Sequence, residues 1–331
     1  MAKKSLVPPG LRYLADNIQR KDNLLGVSKS EGARWAAGLN LPKRGETIFF
    51  AGCGYQFDHK LEALMNMLRR LDRSFVGLDN TLALANLQKQ MKLDGLFLKT
   101  LGLGEDGQPL RAAVAVLRRL GISPAYLAED EPCCGGLLHF MGAAGDFKSH
   151  SGSVNDRLKA AGVSRIISIV PSCTYTLKNL IVGTDGQNPV TVSHFSEVVA
   201  ENIGQLKLRF PESTKVTYHD PCQLVRYLNL ADQPRTIIRA IKNLELVEPK
   251  WTRCEFATCC GGGGGFEAVY PEMSEMLAKN RVRELLETGA SLIVTHCPGC
   301  IMQIKTGLKA LKADKVAVLD LAELVARSLE E

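Results

Sequence analysis

The sequence predicts an α/β protein made of two pseudo-repeated, Rossmann-like halves with parallel sheets. Short apolar runs alternate with stretches of helical periodicity along most of the chain. Several of these runs end at a cysteine, and the same order of cysteine motifs occurs twice. The composition, 45% hydrophobic and 23% charged over 331 residues, allows a substantial buried core.

The elements can be assigned in chain order. Residues 1–45 are polar, contain prolines and lack cysteine, which is typical of an arm or a partner-binding extension. Strands are predicted at 47–51, 166–170, 215–218, 291–294 and 315–318. Helices are predicted at 58–71, 110–120, 271–288 and 319–330. Because strands and helices alternate, we expect parallel sheets that are covered by helices.

The repeated unit is a strand that ends at a cysteine, an adjacent cysteine pair followed by glycines, and a second strand that ends at a cysteine. The first half contributes Cys53, Cys133, Cys134 and Cys173. The second half contributes Cys222, Cys259, Cys260, Cys297 and Cys300. The repeat divides the chain into an arm at 1–45, a first domain at 46–190 and a second domain at 191–331.

The two halves differ in one spacing. Between Cys53 and Cys133 lie 79 residues, whereas only 36 separate Cys222 from Cys259. We assign the excess to an inserted segment at about 78–107. Cys254 lies outside both sets.

Several classes of function are disfavoured by the sequence. No apolar run is long enough for a membrane span or a secretion signal, so a cytoplasmic location is expected. In that compartment, ten cysteines indicate metal binding or catalysis rather than structural disulfides. The net charge of +6 is not concentrated in a basic block with aromatic residues, so nucleic acid is not an expected partner.

The adjacent cysteines favour a polynuclear cluster over a single zinc ion. Zinc takes four ligands, and Cys297 and Cys300 form one ordinary Cys-x-x-Cys pair for it. Adjacent side chains diverge, however, so a Cys-Cys pair suits two metals better than one. The glycines that follow each pair allow backbone N–H groups to approach cluster sulfur closely. A disulfide-exchange role for Cys297 and Cys300 is the remaining alternative, and it leaves the Cys-Cys-Gly repeats unexplained.

The spacing of Cys222, Cys259, Cys260, Cys297 and Cys300 resembles the tandem CCG (cysteine-rich) domain family, which includes the disulfide-reducing subunit of heterodisulfide reductase and related iron–sulfur oxidoreductase subunits. The resemblance covers roughly residues 46–320. It implies that these five cysteines hold a non-cubane [4Fe-4S] cluster near the domain interface. In the first half Thr176 stands where the fifth cysteine is expected, so that half would hold a second cluster, a zinc ion or no metal.

The same resemblance implies an iron–sulfur subunit of a heterodisulfide-reductase-like complex that acts on sulfur groups. Its substrate would be a thiol, a disulfide or a sulfur-carrier protein. Its electrons would pass through a ferredoxin-like and/or flavin-containing partner subunit. The alternative is a non-catalytic electron-transfer subunit with zinc or no metal in the first domain.

Two histidines accompany the second cysteine set. His219 precedes Cys222 by three residues, and His296 directly precedes Cys297. Histidine titrates near neutrality, so both are candidate catalytic proton donors to a leaving thiolate. The alternative for each is packing, or an N–H···S hydrogen bond beside the cluster.

Overall fold

The computed structural model describes residues 8–72, 106–182 and 190–330. The predicted inserted segment at about 78–107 lies almost wholly outside these residues. The strands are β1 Thr47–Phe50, β2 Arg165–Ser168, β3 Thr191–His194, β4 Arg209–Tyr218, β5 Lys242–Leu246, β6 Leu292–Thr295 and β7 Ala317–Asp320.

The helices are α1 Pro9–Lys21, α2 Lys29–Gly32, α3 Gly52–Gln56, α4 Asp58–Asp72, α5 Gln108–Arg119, α6 Gly136–Phe140, α7 Ala144–Ala160, α8 Pro171–Tyr175, α9 Phe195–Glu201, α10 Asp232–Ala240, α11 Phe266–Val269, α12 Pro271–Leu286, α13 Pro298–Ala310 and α14 Leu321–Ser328. Two π-helical turns, Thr176–Ile181 and Gln223–Tyr227, follow α8 and Cys222. No helix in the described ranges combines the length and apolarity needed to cross a membrane.

The strands form two parallel sheets, which confirms the predicted α/β class. One sheet has the order β1-β2-β3 and the other β5-β4-β6-β7. In the first, Ile48 pairs with Ile166, which in turn pairs with Val192. In the second, Val216 pairs with Leu292.

The two sheets repeat one another once an isolated bridge is counted. Ala125 forms a parallel bridge with Ile48 on the free side of β1. It therefore takes the place that β5 takes beside β4. In each half, the segment before the cysteine pair lies next to the strand that ends at the first cysteine. The structure thus supports the internal repeat that the cysteine motifs predict.

Five strands agree with the sequence-based expectation, whereas β3 and β5 were missed. Both β3 and β5 are edge strands. An edge strand is only partly covered, so it need not be a continuous apolar run. The β5 sequence, Lys-Asn-Leu-Glu-Leu, alternates between exposed and partly buried positions. The last helix is also shorter than predicted, because Asp320 ends β7 and caps the N-terminus of α14 with its side chain.

The two halves share one apolar core. It includes Phe49 and Ile167 from the first sheet and Val216 and Val294 from the second. A smaller cluster forms where α1 packs on the protein through Leu14 and Ile18. This second cluster also contains Cys53 and Cys133, so the described part of the N-terminal segment covers one side of the cysteines.

Candidate metal centre

The motif cysteines converge because parallel strands place their carboxyl ends at one edge of a sheet. Eight of the nine line a single cavity of about 420 Å³. They are Cys53, Cys133, Cys134, Cys173, Cys222, Cys260, Cys297 and Cys300. The ninth, Cys259, is exposed to solvent. Since the lining comes from both halves, the cavity lies at their interface.

The first cysteine set forms two close pairs. The Cys134 and Cys173 sulfurs are 3.2 Å apart, and those of Cys53 and Cys133 are 3.8 Å apart. All four side chains are buried. The hydrogen bond with Cys133 and burial raise the pKa of Cys53 well above that of an ordinary thiol. Four thiols packed in this way have to lose their protons to bind a metal ion.

The second set has a different charge distribution. The Cys260 and Cys300 sulfurs are 3.3 Å apart. Hydrogen bonds with Cys259, Cys300 and His219 hold the pKa of Cys260 well below its usual value. Burial, together with the neighbouring Cys297, raises the pKa of Cys222 to about 11. A thiolate is therefore best stabilised at Cys260.

Thr176, at the position of the fifth cysteine, uses its hydroxyl proton within its own helix. It is fully buried, and its hydroxyl donates a hydrogen bond of 2.8 Å to the Ser172 carbonyl oxygen one turn earlier. A Cβ added to Gly136 would lie only 2.6 Å from that hydroxyl oxygen. The hydroxyl is thus committed to its own helix, beside the backbone that follows Cys134.

The glycine run after the second pair is shaped by packing. Gly261 has a φ of +90°, and a Cβ there would lie 2.4 Å from the Ser274 carbonyl oxygen. A Cβ on Gly265 would lie 2.2 Å from Leu11 of α1. Backbone therefore passes closely between α1, α12 and the cavity, which only glycine allows. The closest contacts of the run are thus with α1 and α12.

Buried carboxylates hold the loops that carry the first cysteine of each set. Glu131 accepts hydrogen bonds from the Ala51 and Gly52 amides at 2.8 and 2.9 Å. Burial raises its pKa to about 7. In the second half, Asp220 accepts two hydrogen bonds from Arg235 at 2.8 and 2.9 Å. Sequence reasoning missed the role of Glu131, although its position two residues before the first cysteine pair was a signal.

His219 and His296 lie behind the cysteines, and neither ring lines the cavity. Nδ1 of His219 accepts a hydrogen bond of 2.9 Å from Arg281 Nε. Nδ1 of His296 lies 2.9 Å from the Asp320 carboxylate, to which Tyr55 of the first half also donates. A catalytic role for either histidine stays a prediction, whereas both contribute to fixed polar networks.

The donor chemistry fits an iron–sulfur group. The cavity presents eight cysteine sulfurs beside the glycine-rich segment 262–265. Soft thiolates select zinc or iron–sulfur clusters among the common metal groups. One ring nitrogen of His219 lies within 4.8 Å of the Cys260 and Cys300 sulfurs, so a mixed ligand set at this point also has to be considered.

Comparison with known proteins agrees with this picture. The model of the CCG family, described as a cysteine-rich domain, matches residues 100–178 and 216–305. One match falls in each half. The first begins after Cys53, so that cysteine is assigned by the repeat and by its position in the cavity.

Similar curated proteins are oxidoreductase subunits and iron–sulfur proteins. One subunit of a dihydromethanophenazine:CoB–CoM heterodisulfide reductase from Methanosarcina barkeri is 32% identical over 227 residues, which cover 66% of this chain and 54% of that protein. An uncharacterized iron–sulfur protein of Methanocaldococcus jannaschii is 29% identical over 223 residues, covering 65% and 42%. The chain thus spans about half the length of these relatives.

Among solved structures, a hypothetical protein from Helicobacter pylori superposes with a TM-score of 0.50 at 16% identity. The match covers 67% of this chain and 46% of that one, and at this identity it supports the fold alone. The family match covers all five motif cysteines of the second half and three of the four cysteines of the first. From the repeat, the shared cavity and this match, we conclude that the chain belongs to the CCG cysteine-rich domain family.

Proposed function

We propose that this chain is the iron–sulfur subunit of a heterodisulfide-reductase-like oxidoreductase. The observation that carries the proposal is the convergence of eight motif cysteines from both halves on one cavity. Relatives named as heterodisulfide reductase subunits and iron–sulfur proteins support the same conclusion. The substrate would be a disulfide, a thiol or a sulfur carrier.

In this proposal Cys222, Cys259, Cys260, Cys297 and Cys300 hold a non-cubane [4Fe-4S] cluster in the second domain. Five thiolates exceed what one zinc ion takes, and an adjacent pair reaches two metals more readily than one. Cys53, Cys133, Cys134 and Cys173 hold a second metal group in the first domain. Four thiolates suffice for a conventional cluster or for zinc.

When bound, the cluster would supply electrons one at a time and an iron site for a substrate sulfur. The chain's own residues provide the surroundings for that chemistry. Leu14, Leu61, Leu137 and Phe140 line the cavity beside the sulfurs and would exclude water from it. A low-dielectric wall strengthens every interaction between the chain and a charged group inside.

The electrons would come from a ferredoxin-like and/or flavin-containing subunit, since the similar Methanosarcina protein is itself one subunit of a heterodisulfide reductase. We place the protein in the cytoplasm, where a chain with ten cysteines is expected to use them for metal binding or catalysis rather than for disulfides. Nucleic acid is not among the proposed partners.

The test is metal analysis of protein purified without oxygen. We expect iron and acid-labile sulfide in about equal amounts, with about eight irons per chain if both halves hold [4Fe-4S] clusters and about four if one does. Cys260→Ala should lose the second-half iron. Cys254→Ala is the matched control: Cys254 lies outside both sets, so this variant should keep all of its iron. Iron-free protein after anaerobic reconstitution would contradict the proposal.

A second candidate is a non-catalytic electron-transfer subunit in which the first domain holds zinc or no metal. It is favoured by Thr176, whose hydroxyl is bonded to the Ser172 carbonyl and leaves the first set with four thiols. About four irons together with one zinc per chain would support it. Reduction of a disulfide by the reconstituted complex, abolished by Cys260→Ala, would instead support the catalytic subunit.

A further inference from the structure

The protonation of His219 is decided by its neighbour Arg281. His219 directly follows β4 and is 1% exposed. Its Nδ1 lies 2.9 Å from Arg281 Nε. A guanidinium group has N–H donors and no acceptor, so Nδ1 has to supply the lone pair. In the neutral ring, the single proton is then on Nε2.

The other ring nitrogen, Nε2, is buried and has no hydrogen-bond partner, sulfur included, among the described residues. A ring nitrogen of His219 lies within 4.8 Å of the Cys260 and Cys300 sulfurs, and Nδ1 is taken by Arg281.

The position of the ring proton distinguishes two possible roles of His219, metal ligand and hydrogen-bond donor. A metal ligand needs the Nε2 lone pair, whereas a hydrogen-bond donor needs Nε2–H. As long as Arg281 occupies Nδ1, ligation would require an imidazolate or the loss of a buried hydrogen bond. The arrangement therefore favours N–H···S donation over coordination.

Arg281 is itself held in place. It lies on α12 and is 0% exposed. Its Nη1 donates to the Thr252 carbonyl oxygen and to Glu284, each at 2.8 Å. Glu284 also accepts a hydrogen bond of 2.9 Å from Thr258, the residue before Cys259. The network thus runs from one side of the cysteine pair to the other.

The first half has no counterpart to this network in the described residues. The residue three before Cys53 is Phe50, where the second half has His219 before Cys222. Phe50 is fully buried and carries no donor. Any effect of the histidine is therefore confined to the second metal group.

We propose that Arg281 is a positioning residue that fixes the proton of His219 on Nε2, and that, once the cluster is bound, this N–H donates to the Cys260 sulfur and raises the reduction potential of the second-half cluster. The inference rests on the proposed function. Hydrogen bonds to ligand sulfur stabilise the more negative, reduced state, so they raise the potential.

The test compares the second-half midpoint potential, followed by electron paramagnetic resonance, in wild type, His219→Leu, His219→Gln and Arg281→Met. Leucine removes the donor, whereas glutamine keeps an N–H donor in a side chain of similar reach. We expect His219→Leu and Arg281→Met to shift the one-electron equilibrium about tenfold towards the oxidised state, which is about 59 mV. His219→Gln should restore most of that shift, and any first-half signal should not move.

A measurement on wild-type protein covers the case in which a variant does not fold. With ¹⁵N-labelled histidine, pulsed electron paramagnetic resonance should show a weak nitrogen coupling and an exchangeable proton. A strong coupling typical of direct coordination would overturn the inference, as would unchanged potentials in both His219→Leu and Arg281→Met. Absence of iron from wild type would overturn the proposed function and this inference together, whereas iron with unchanged potentials overturns the inference alone.

Discussion

The buried charge network at Asp220 provides the sharpest prediction about stability. Asp220 and Arg235 form a two-bonded ion pair whose side chains are 1% and 4% exposed. Glu248 also binds Arg235, at 2.6 Å, and is 7% exposed. Asp220 further accepts a hydrogen bond of 2.9 Å from the Cys254 amide. Because the pair is buried, solvent screens it little.

Asp220→Asn should lower the free energy of unfolding by about 3 kcal/mol. Breaking a buried ion pair by removing one partner costs about 3–5 kcal/mol. Glu248 still neutralises Arg235 in the variant, so the lower end applies. Asparagine has one acceptor oxygen, and its amide N–H₂ meets either the guanidinium or the Cys254 amide, both of which are donors.

The assay is anaerobic urea denaturation followed by circular dichroism. Glu245→Gln is the matched control, since Glu245 pairs with Lys215 at 3.9 Å on the surface, where side chains are 62% and 55% exposed. That control should change stability by less than about 0.5 kcal/mol. A loss below about 1 kcal/mol in Asp220→Asn, or equal losses in the two variants, would refute the reasoning.

Three further predictions concern the cysteine sets and a nearby carboxyl group. Thr176→Cys adds a fifth thiol to the first half; if wild type holds zinc or no metal in that half, metal analysis of the variant should show iron there, and an unchanged metal content in that case would contradict the assignment of Thr176. Gly261→Ala puts a Cβ 2.4 Å from the Ser274 carbonyl oxygen and should lose second-half iron, whereas Gly289→Ala, at a φ of +70° with open space around it, should cost only about 1 kcal/mol and keep the iron. Burial raises the pKa of Asp58 from 3.8 to about 7, so the folded state keeps a proton that the unfolded chain releases. Its contribution to stability therefore falls as pH rises from about 4 to 7, and the stability difference between wild type and Asp58→Asn should become less favourable to wild type over that range. A pH-independent difference would exclude this titration.

Sequence analysis found the strands that contain several consecutive apolar residues. Strands β1, β2 and β6 are buried almost throughout and carry apolar runs, and the last three residues of β4 and the last two of β7 are buried as well. Edge strand β5 is less covered, and its polar sequence does not predict a strand. The inserted segment at about 78–107 was predicted from a spacing difference, and it lies mainly outside the described residues.

The cysteine sets were also predictable, for a topological reason. Each motif cysteine but those of the adjacent pairs follows a predicted strand, and parallel strands bring their carboxyl ends together. A repeat of strand-cysteine motifs therefore implies two groups of thiols without any knowledge of packing. The family resemblance added the kind of cluster, which stays a proposal.

By itself the sequence determined the α/β class, the internal repeat and the nine motif cysteines, because local periodicity and spacing record which residues face the core. Only the tertiary structure decided that both sets share one cavity, that α1 covers them, and that Arg281 sets the tautomer of His219. Those two residues are 62 positions apart. Contacts between such distant elements depend on how helices pack against the sheets, and side-chain packing leaves no periodic trace along the chain.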